Sequence, residues 1–351
     1  MNKKDIQAIE FGLDTFGDVP TDDNKQLMTY GQAIRQVVDE AVLAEKVGVD
    51  AISLGEHHRF EYSISSPETV LAGIATKTSK IKLASGVTVL SSDDPVRVFE
   101  RFSTLDALSN GRAQVILGRG SFTESFPLFG YDLRDYELLF EEKIELFSEL
   151  IKEKPVTWEG TTRAALNKAD VYPKTDSGHL QTMVGVGGSP QSVIRAANYN
   201  FPLMLAIIGG SPDRFVPYVD LYKQATKELS TTAHPIGMHS PGFIADTDEE
   251  AIKIAFPSYK KSHDRIGKTR GWPPLTREHF QYEIEVGSLY IGSPETVAQK
   301  IARSIKILGV QRFDLVYGQG PLAASARLRM IELYGSRVIP RVRELLAEET
   351  K

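Results

Sequence analysis

Two hydrophobic rhythms alternate along the chain. Short apolar runs, such as AQVILG at 113–118, read as strands buried on both faces, as a parallel sheet requires. Between them lie longer segments whose apolar residues return every three or four positions, the mark of a helix with one buried face. The strand series comprises 8–16, 50–55, 81–90, 113–118, 181–188, 202–208, 235–245 and 312–318. The helical series comprises 31–48, 67–78, 95–108, 136–152, 190–198, 213–229, 248–270 and 293–309, then 323–346 with Pro340 interrupting. Ser293 suits an N-cap, with Glu295 in the first turn, and Gly48 suits a helix stop. About eight strands, each followed by a helix, predict a parallel sheet, and over this length an α/β fold of the (β/α)8 TIM-barrel type ahead of a doubly wound open sheet. The rhythm breaks twice. Residues 154–180 and 271–292 read as irregular insertions after strand four and strand seven, and as candidate lids. No repeat or composition shift marks a border, so 1–351 is expected to be one barrel domain.

Composition then narrows the classes of function. The 351 residues hold 41% hydrophobic and 25% charged side chains, an ordinary globular balance. A net charge of −5 argues against nucleic acid as the main partner, because phosphate backbones call for a basic face. There is no cysteine, which removes disulfides, thiolate metal sites and cysteine nucleophiles. The N-terminus lacks a signal-peptide core, and no window approaches the ~20 apolar residues of a membrane span. A cytoplasmic protein without a membrane partner is expected.

In a (β/α)8 barrel the chemistry collects at the C-terminal strand ends. Strand two runs into Gly55-Glu56-His57-His58-Arg59, strand three into Ser91-Ser92-Asp93-Asp94-Pro95, and strand four into Gly118-Arg119-Gly120-Ser121. Strand five runs into Gly187-Gly188-Ser189-Pro190, strand six into Gly209-Gly210-Ser211-Pro212, and strand eight into Tyr317-Gly318-Gln319-Gly320, while strand seven carries His239-Ser240-Pro241 within it. Gly-Gly-Ser-Pro at a helix start leaves free backbone N–H groups for an anion, with Ser189 and Ser192 as further donors and Arg119 in the neighbouring unit. The same chemistry recurs at 209–212 and at Gly292-Ser293-Pro294, and each is also an ordinary helix start without a ligand. For Glu56-His57-His58 three readings stand: a solvated strand end, metal ligation, or one histidine as base or hydrogen-bond donor toward a cofactor. Metal is disfavoured because adjacent strand residues point to opposite faces and no further ligand set is evident. Phe122, Phe126 and Phe129 hint at an apolar pocket, or at core packing.

Gly55-Glu56-His57-His58, ASGVTVLSSDDPVR, LDALSNGRAQVILGRGS, Gly-Gly-Ser-Pro and YIGSPETVAQKI together resemble the bacterial luciferase-like flavin-dependent monooxygenases over nearly the whole chain. The resemblance implies a (β/α)8 barrel with insertions. It implies FMN, in reduced form, as cofactor, with the deazaflavin F420 used in some branches. It assigns His57 an acid–base role. It sets Gly86-Val87 against the flavin ring, at a position where relatives often have a non-prolyl cis peptide or bulge. It puts the phosphate at Arg119 and around Gly187, Gly188, Ser189 and Ser192. The expected reaction takes reduced FMN and O2 to oxygenate a small organic substrate. A separate flavin reductase and a homodimer built on the early helices, 31–48 and 67–78, are expected partners. F420-dependent hydride transfer, a non-catalytic flavin-binding barrel and a metal hydrolase are the alternatives. Luciferase has a reactive cysteine at the position of Gly118, which this chain lacks, so light emission is not implied.

Overall fold

The computed structural model describes residues 3–348. Its strands are β1 (Glu10–Thr15), β2 (Ala51–Leu54), β3 (Lys82–Val89), β4 (Ala113–Gly118), β5 (Val156–Trp158), β6 (Leu166–Ala169), β7 (Gln181–Val186), β8 (Leu203–Ala206), β9 (Gly237–Ile244), β10 (Tyr290–Gly292) and β11 (Arg312–Val316). Eight of them close a parallel ring in the order β1, β2, β3, β4, β7, β8, β9, β11. The closing contacts pair Ala206 with His239 and Asp314 with His239. The fold is therefore the (β/α)8 barrel that the alternating periodicity predicts. β10 lies outside the ring and extends the far end of β9, pairing Tyr290 with Gly242.

Alternation along each strand decides what faces the helices and what faces the barrel axis. Phe11, Leu13, Phe313 and Leu315 join the hydrophobic layer under the helices. Gly12, Asp14, Arg312 and Asp314 occupy the intervening positions, and Asp14, Arg312 and Asp314 are buried. Branched apolar side chains dominate the usual barrel interior. Here part of that layer is polar. Arg312 donates to Asp314 at 2.7 and 2.8 Å, to Gln114 at 2.6 Å and to Ser53 at 3.2 Å.

Helix boundaries follow local chemistry. Pro190–Asn198 and Asp248–Arg270 form as the periodicity predicts. The Ser293 side chain accepts the Thr296 N–H, and Gly309 ends that helix at φ 63°. The two insertions are more ordered than expected. Within 154–180, β5 and β6 form an antiparallel hairpin. Within 271–292 lie a helix, Arg277–Glu285, and β10. Both elements are short, and so carry little periodic signal. Pro340 does not interrupt the final helix. A wider π turn over Tyr334–Val338 precedes it and carries the chain into Ile339–Glu348, consistent with a residue that has no N–H to donate to the preceding turn.

Candidate active site

The strand ends open into a cavity of about 440 Å³. Its floor includes Gly86, Val87, Ile116, Gly185, Met204 and His239. Phe16, His57, Tyr62 and Phe122 form one wall. The helix Asp248–Arg270 covers the opening with Tyr259, His263, Ile266 and Arg270, and Trp272 follows just beyond it. Gly86 and Val87 are joined by a cis peptide bond, and the pairing register of β3 shifts between Gly86 and Thr88. That shift lets the consecutive residues Gly86 and Val87 both line the cavity.

His57 and His58 both reach the cavity, which strict strand alternation does not predict; they lie past the end of β2, where the alternation no longer holds. Their environments differ. The His57 ring sits 4.4 Å from Tyr62, 5.2 Å from Phe16 and 5.3 Å from Phe122, centroid to centroid. Its Nδ1 is buried without a hydrogen-bond partner. Burial in this aromatic box pushes the imidazole pKa down to about 3, helped by the neighbouring His58 and Arg59. His57 is therefore neutral at physiological pH. His58 bonds through Nε2 to Glu56 at 3.0 Å, and Glu56 also accepts the Val89 N–H at 2.8 Å. The Glu56–His58 pair thus ties the end of β2 to the end of β3.

Arg119 lies at the cavity edge and pairs with Glu137 at 2.5 Å. Arg195, from the helix after β7, reaches the same carboxylate at 3.5 Å and holds Glu141 at 2.5 Å. Arg195 Nη1 is buried and unpartnered. Gly187 lines the cavity, and a Cβ added there would meet nothing within 4 Å. Gly188, Ser189 and Ser192 continue the chain beyond Gly187 but are not among the cavity-lining residues. Ser189 caps its own helix, accepting the Ser192 N–H and donating to Gln191 at 3.0 Å. Gly188 carries a left-handed φ of 114° and accepts a hydrogen bond from Tyr218 at 2.8 Å. The two other helix starts are capped in the same way, Ser211 receiving Asp213 N–H and Ser293 receiving Thr296 N–H. What sets the first apart is its cavity-lining glycine and the two arginines that meet at Glu137.

Of the three phenylalanines, only Phe122 lines the cavity, held between the guanidiniums of Arg59 at 4.8 Å and Arg270 at 5.2 Å. Phe126 is core and stacks on Tyr136; Phe129 is exposed and meets His58 edge-on. Asp18 and Arg195 escaped the reading of the sequence as site residues, and His239 entered it only as part of strand seven, without a role. Asp18, after β1, is 4% exposed, lines the cavity and accepts the Gly320 N–H at 2.7 Å. Burial pushes its carboxyl up to about 7. His239 Nδ1 meets Asp14 at 2.7 Å on the floor. Arg195 shows no sequence signal beyond a helical position. For Asp18 the only signal was a polar break after a strand.

Among the described residues, no group of three or more His, Asp or Glu side chains is arranged to hold a metal ion. The residues present fit a flat, largely apolar ring system with an anionic tail. Val87, Ile116 and Met204 offer apolar surface, Gly187 leaves open space, and Arg119 waits at the edge on a carboxylate that is itself largely exposed.

Fold and site define a (β/α)8 barrel whose mouth cavity suits a planar ring system with an anionic tail. Residues 11–312 match the luciferase-like monooxygenases, and the chain belongs to that family. It is 23% identical to the alkanal monooxygenase alpha chain of Photorhabdus luminescens, over 89% of this chain and 93% of the relative. It superposes with a TM-score of 0.76, at 19% identity, on the oxygenating constituent of 3,6-diketocamphane monooxygenase from Pseudomonas putida in complex with FMN, covering 95% of this chain and 99% of the other. It superposes with a TM-score of 0.69, at 21% identity, on the coenzyme F420 dependent tetrahydromethanopterin reductase of Methanopyrus kandleri, covering 95% and 99%. The chain is thus an enzyme of the luciferase-like monooxygenase class. No helix among the described residues is long and apolar enough to cross a membrane.

Proposed function

We propose that this protein is an FMN-dependent monooxygenase that uses reduced FMN and O2 to oxygenate a small organic substrate. The observation that carries this reading is the cavity itself, an aromatic and apolar slot over Gly86-Val87 with Arg119 at its edge. Bound reduced flavin supplies the electrons that activate O2. The chain's own residues do the rest. Arg119 leaves Glu137 to hold the phosphate, with Arg195 behind it and the backbone from Gly187 to Ser192 beside it. Val87, Ile116 and Met204 would supply the apolar surface for the ring system. His57, kept neutral by its aromatic box, offers a hydrogen bond without carrying charge into the cavity, and is cationic only while it holds an extra proton. Tyr259, Ile266 and Trp272 exclude water above, which makes 248–272 the covering segment, joined to the far wall where Arg270 donates to Ser121 O at 3.0 Å. The structural neighbour in complex with FMN supports the FMN reading, while F420-dependent neighbours share the same fold, and the lack of a Gly-x-Gly-x-x-Gly dinucleotide signature supports a separate reductase as the source of reduced flavin. A cytoplasmic homodimer completes the proposal.

Anaerobic titration with reduced FMN, and in parallel with reduced F420, tests it, each followed by an air pulse monitored by stopped-flow absorbance. Tight binding of FMN and protein-dependent kinetics of its reoxidation are expected. Binding of F420 alone, inert to air, would replace oxygenation by hydride transfer.

A further inference from the structure

The His239–Asp14 pair is left unused by the reading above, which needs only His57 as a proton-handling group. It joins strands β1 and β9 across the barrel floor at 2.7 Å. His239 is 7% exposed and Asp14 1%. His239 lines the cavity, and its second ring nitrogen, Nε2, has no hydrogen-bond partner among the described residues. The second carboxylate oxygen of Asp14, Oδ1, is buried and unpartnered. The carboxylate lies directly beneath Gly86, since a Cβ there would come within 3.0 and 3.1 Å of its two oxygens. A Cβ at 86 would crowd Asp14, which would have to give by a few tenths of an ångström.

Charge counting gives the pair its chemistry. Around it stand Arg312 and Asp314 from β11, with neutral Ser53 from β2 and Gln114 from β4. With His239 neutral and Asp14 ionised, this cluster holds one positive and two negative charges in a buried setting. One extra proton makes it neutral, and low-polarity surroundings favour the neutral state. Burial, reinforced by Asp314, holds the Asp14 carboxyl above its ordinary range, which points the same way. Wherever that proton rests between Nδ1 and the carboxylate, the ring must then carry its other hydrogen on Nε2, facing the cavity.

We propose that His239 and Asp14 form a second proton relay on the cavity floor, in which His239 Nε2–H donates its proton to an anionic ligand seated over Gly86-Val87. The N–H bond at Nε2 breaks, its electron pair stays on the ring, and the relay proton settles on Nδ1, leaving a neutral imidazole bonded to the Asp14 carboxylate. Asp14 acts through His239 and is a positioning residue; His239 touches the ligand. The identity of the ligand as reduced flavin, whose ring is an anion above neutral pH, rests on the function proposed above.

The first arm of the test needs no flavin. In protein labelled with 15N-histidine, the His239 resonance is assigned by its loss in His239→Gln, and Nε2 protonation is read from 6 to 9 in pH. The relay requires a protonated Nε2 at neutral pH that is lost on raising the pH, and a displaced transition in Asp14→Asn. An unprotonated Nε2 at neutral pH overturns it. The second arm is the affinity for reduced FMN against pH in the wild type, anaerobically. A fall of about tenfold per pH unit beyond the His239 transition is expected for one linked proton, with oxidised FMN, whose ring is neutral, much less affected. Asp18 faces the same cavity, so Asp18→Asn must keep that dependence and Asp14→Asn must flatten it, with Asp14→Glu restoring it in part. A flat wild-type profile with tight binding overturns proton delivery. No binding at any pH overturns the flavin reading, while the first arm still decides the relay.

Discussion

The wall and the floor of the cavity bury titratable groups in opposite ways. On the wall, His57 and Asp18 have no counter-ion in direct contact among the described residues, and burial is the main force driving each toward its neutral form. On the floor, His239 is held by Asp14 and Arg312 by Asp314, in direct hydrogen-bonded pairs. The wall thereby supplies uncharged hydrogen-bonding groups to a dry aromatic space. The floor holds its titratable groups in contact with one another below it. A barrel that must shelter a reactive cofactor from water and still move protons needs both.

The comparison breaks most visibly on the floor. Arg312→Met leaves Asp314 and Asp14 buried without their cation, and losing one partner of a buried ionic cluster costs about 3–5 kcal/mol. Chemical denaturation should show a loss of that size, whereas an unchanged midpoint would mean the floor is not an ionic cluster. Next in size is Arg119→Ala at the cavity edge. Loss of a charge-assisted contact to phosphate, about 1.5–3 kcal/mol, should raise the Kd for FMN roughly ten- to a hundredfold. Riboflavin, which lacks the phosphate, should bind the variant and the wild type alike; equal losses for both would remove Arg119 from the phosphate site.

The smallest effect sharpens the comparison within the wall. His57 titrates near 3 in the fold and near 6.5 unfolded, so it subtracts stability as pH falls from 6.5 toward 3. Asp18 titrates near 7 in the fold against 3.8 unfolded, so its contribution is complete below 3.8 and is lost as pH rises toward 7. Between about 4 and 6.5 the two slopes oppose each other, each near 1.4 kcal/mol per pH unit in the limit of full linkage. His57→Asn should therefore become more stable, relative to wild type, as the pH is lowered through this range, and Asp18→Asn less stable. Thermal melts at a series of pH values check both, and parallel curves for all three proteins would show that neither group titrates as its burial implies.

Much of the architecture was legible because it is local. The eight βα units come from periodicities of two and 3.6 residues, and Ser293 and Gly309 mark their helix ends through capping geometry that operates over a few residues. The hairpin at 156–169 and the helix Arg277–Glu285 were missed because neither is long enough to repeat its pattern. At the site, Glu56-His57-His58 and Gly118-Arg119-Gly120 stood out because unusual side chains crowd a strand end. Phe122, Phe126 and Phe129 stayed open between pocket and core, since an aromatic residue looks the same in sequence whether it lines a cavity, fills the core or meets solvent.

By itself, then, the sequence determined the order of strands and helices, the lack of thiol chemistry and the family, all properties of near neighbours in the chain or of the chain as a whole. Only the tertiary structure decided which polar residues meet. Closing the ring brings β11 beside β1 and β9 beside β11, which sets His239 on Asp14 across 225 positions and, across the barrel to β4, Arg312 on Gln114 across 198. It also buries Asp18, which the chain alone shows only as one more acid in a loop. The reason is physical: the proton affinity of a side chain depends on the water and charges around it, and those are supplied by segments that meet only when the barrel closes.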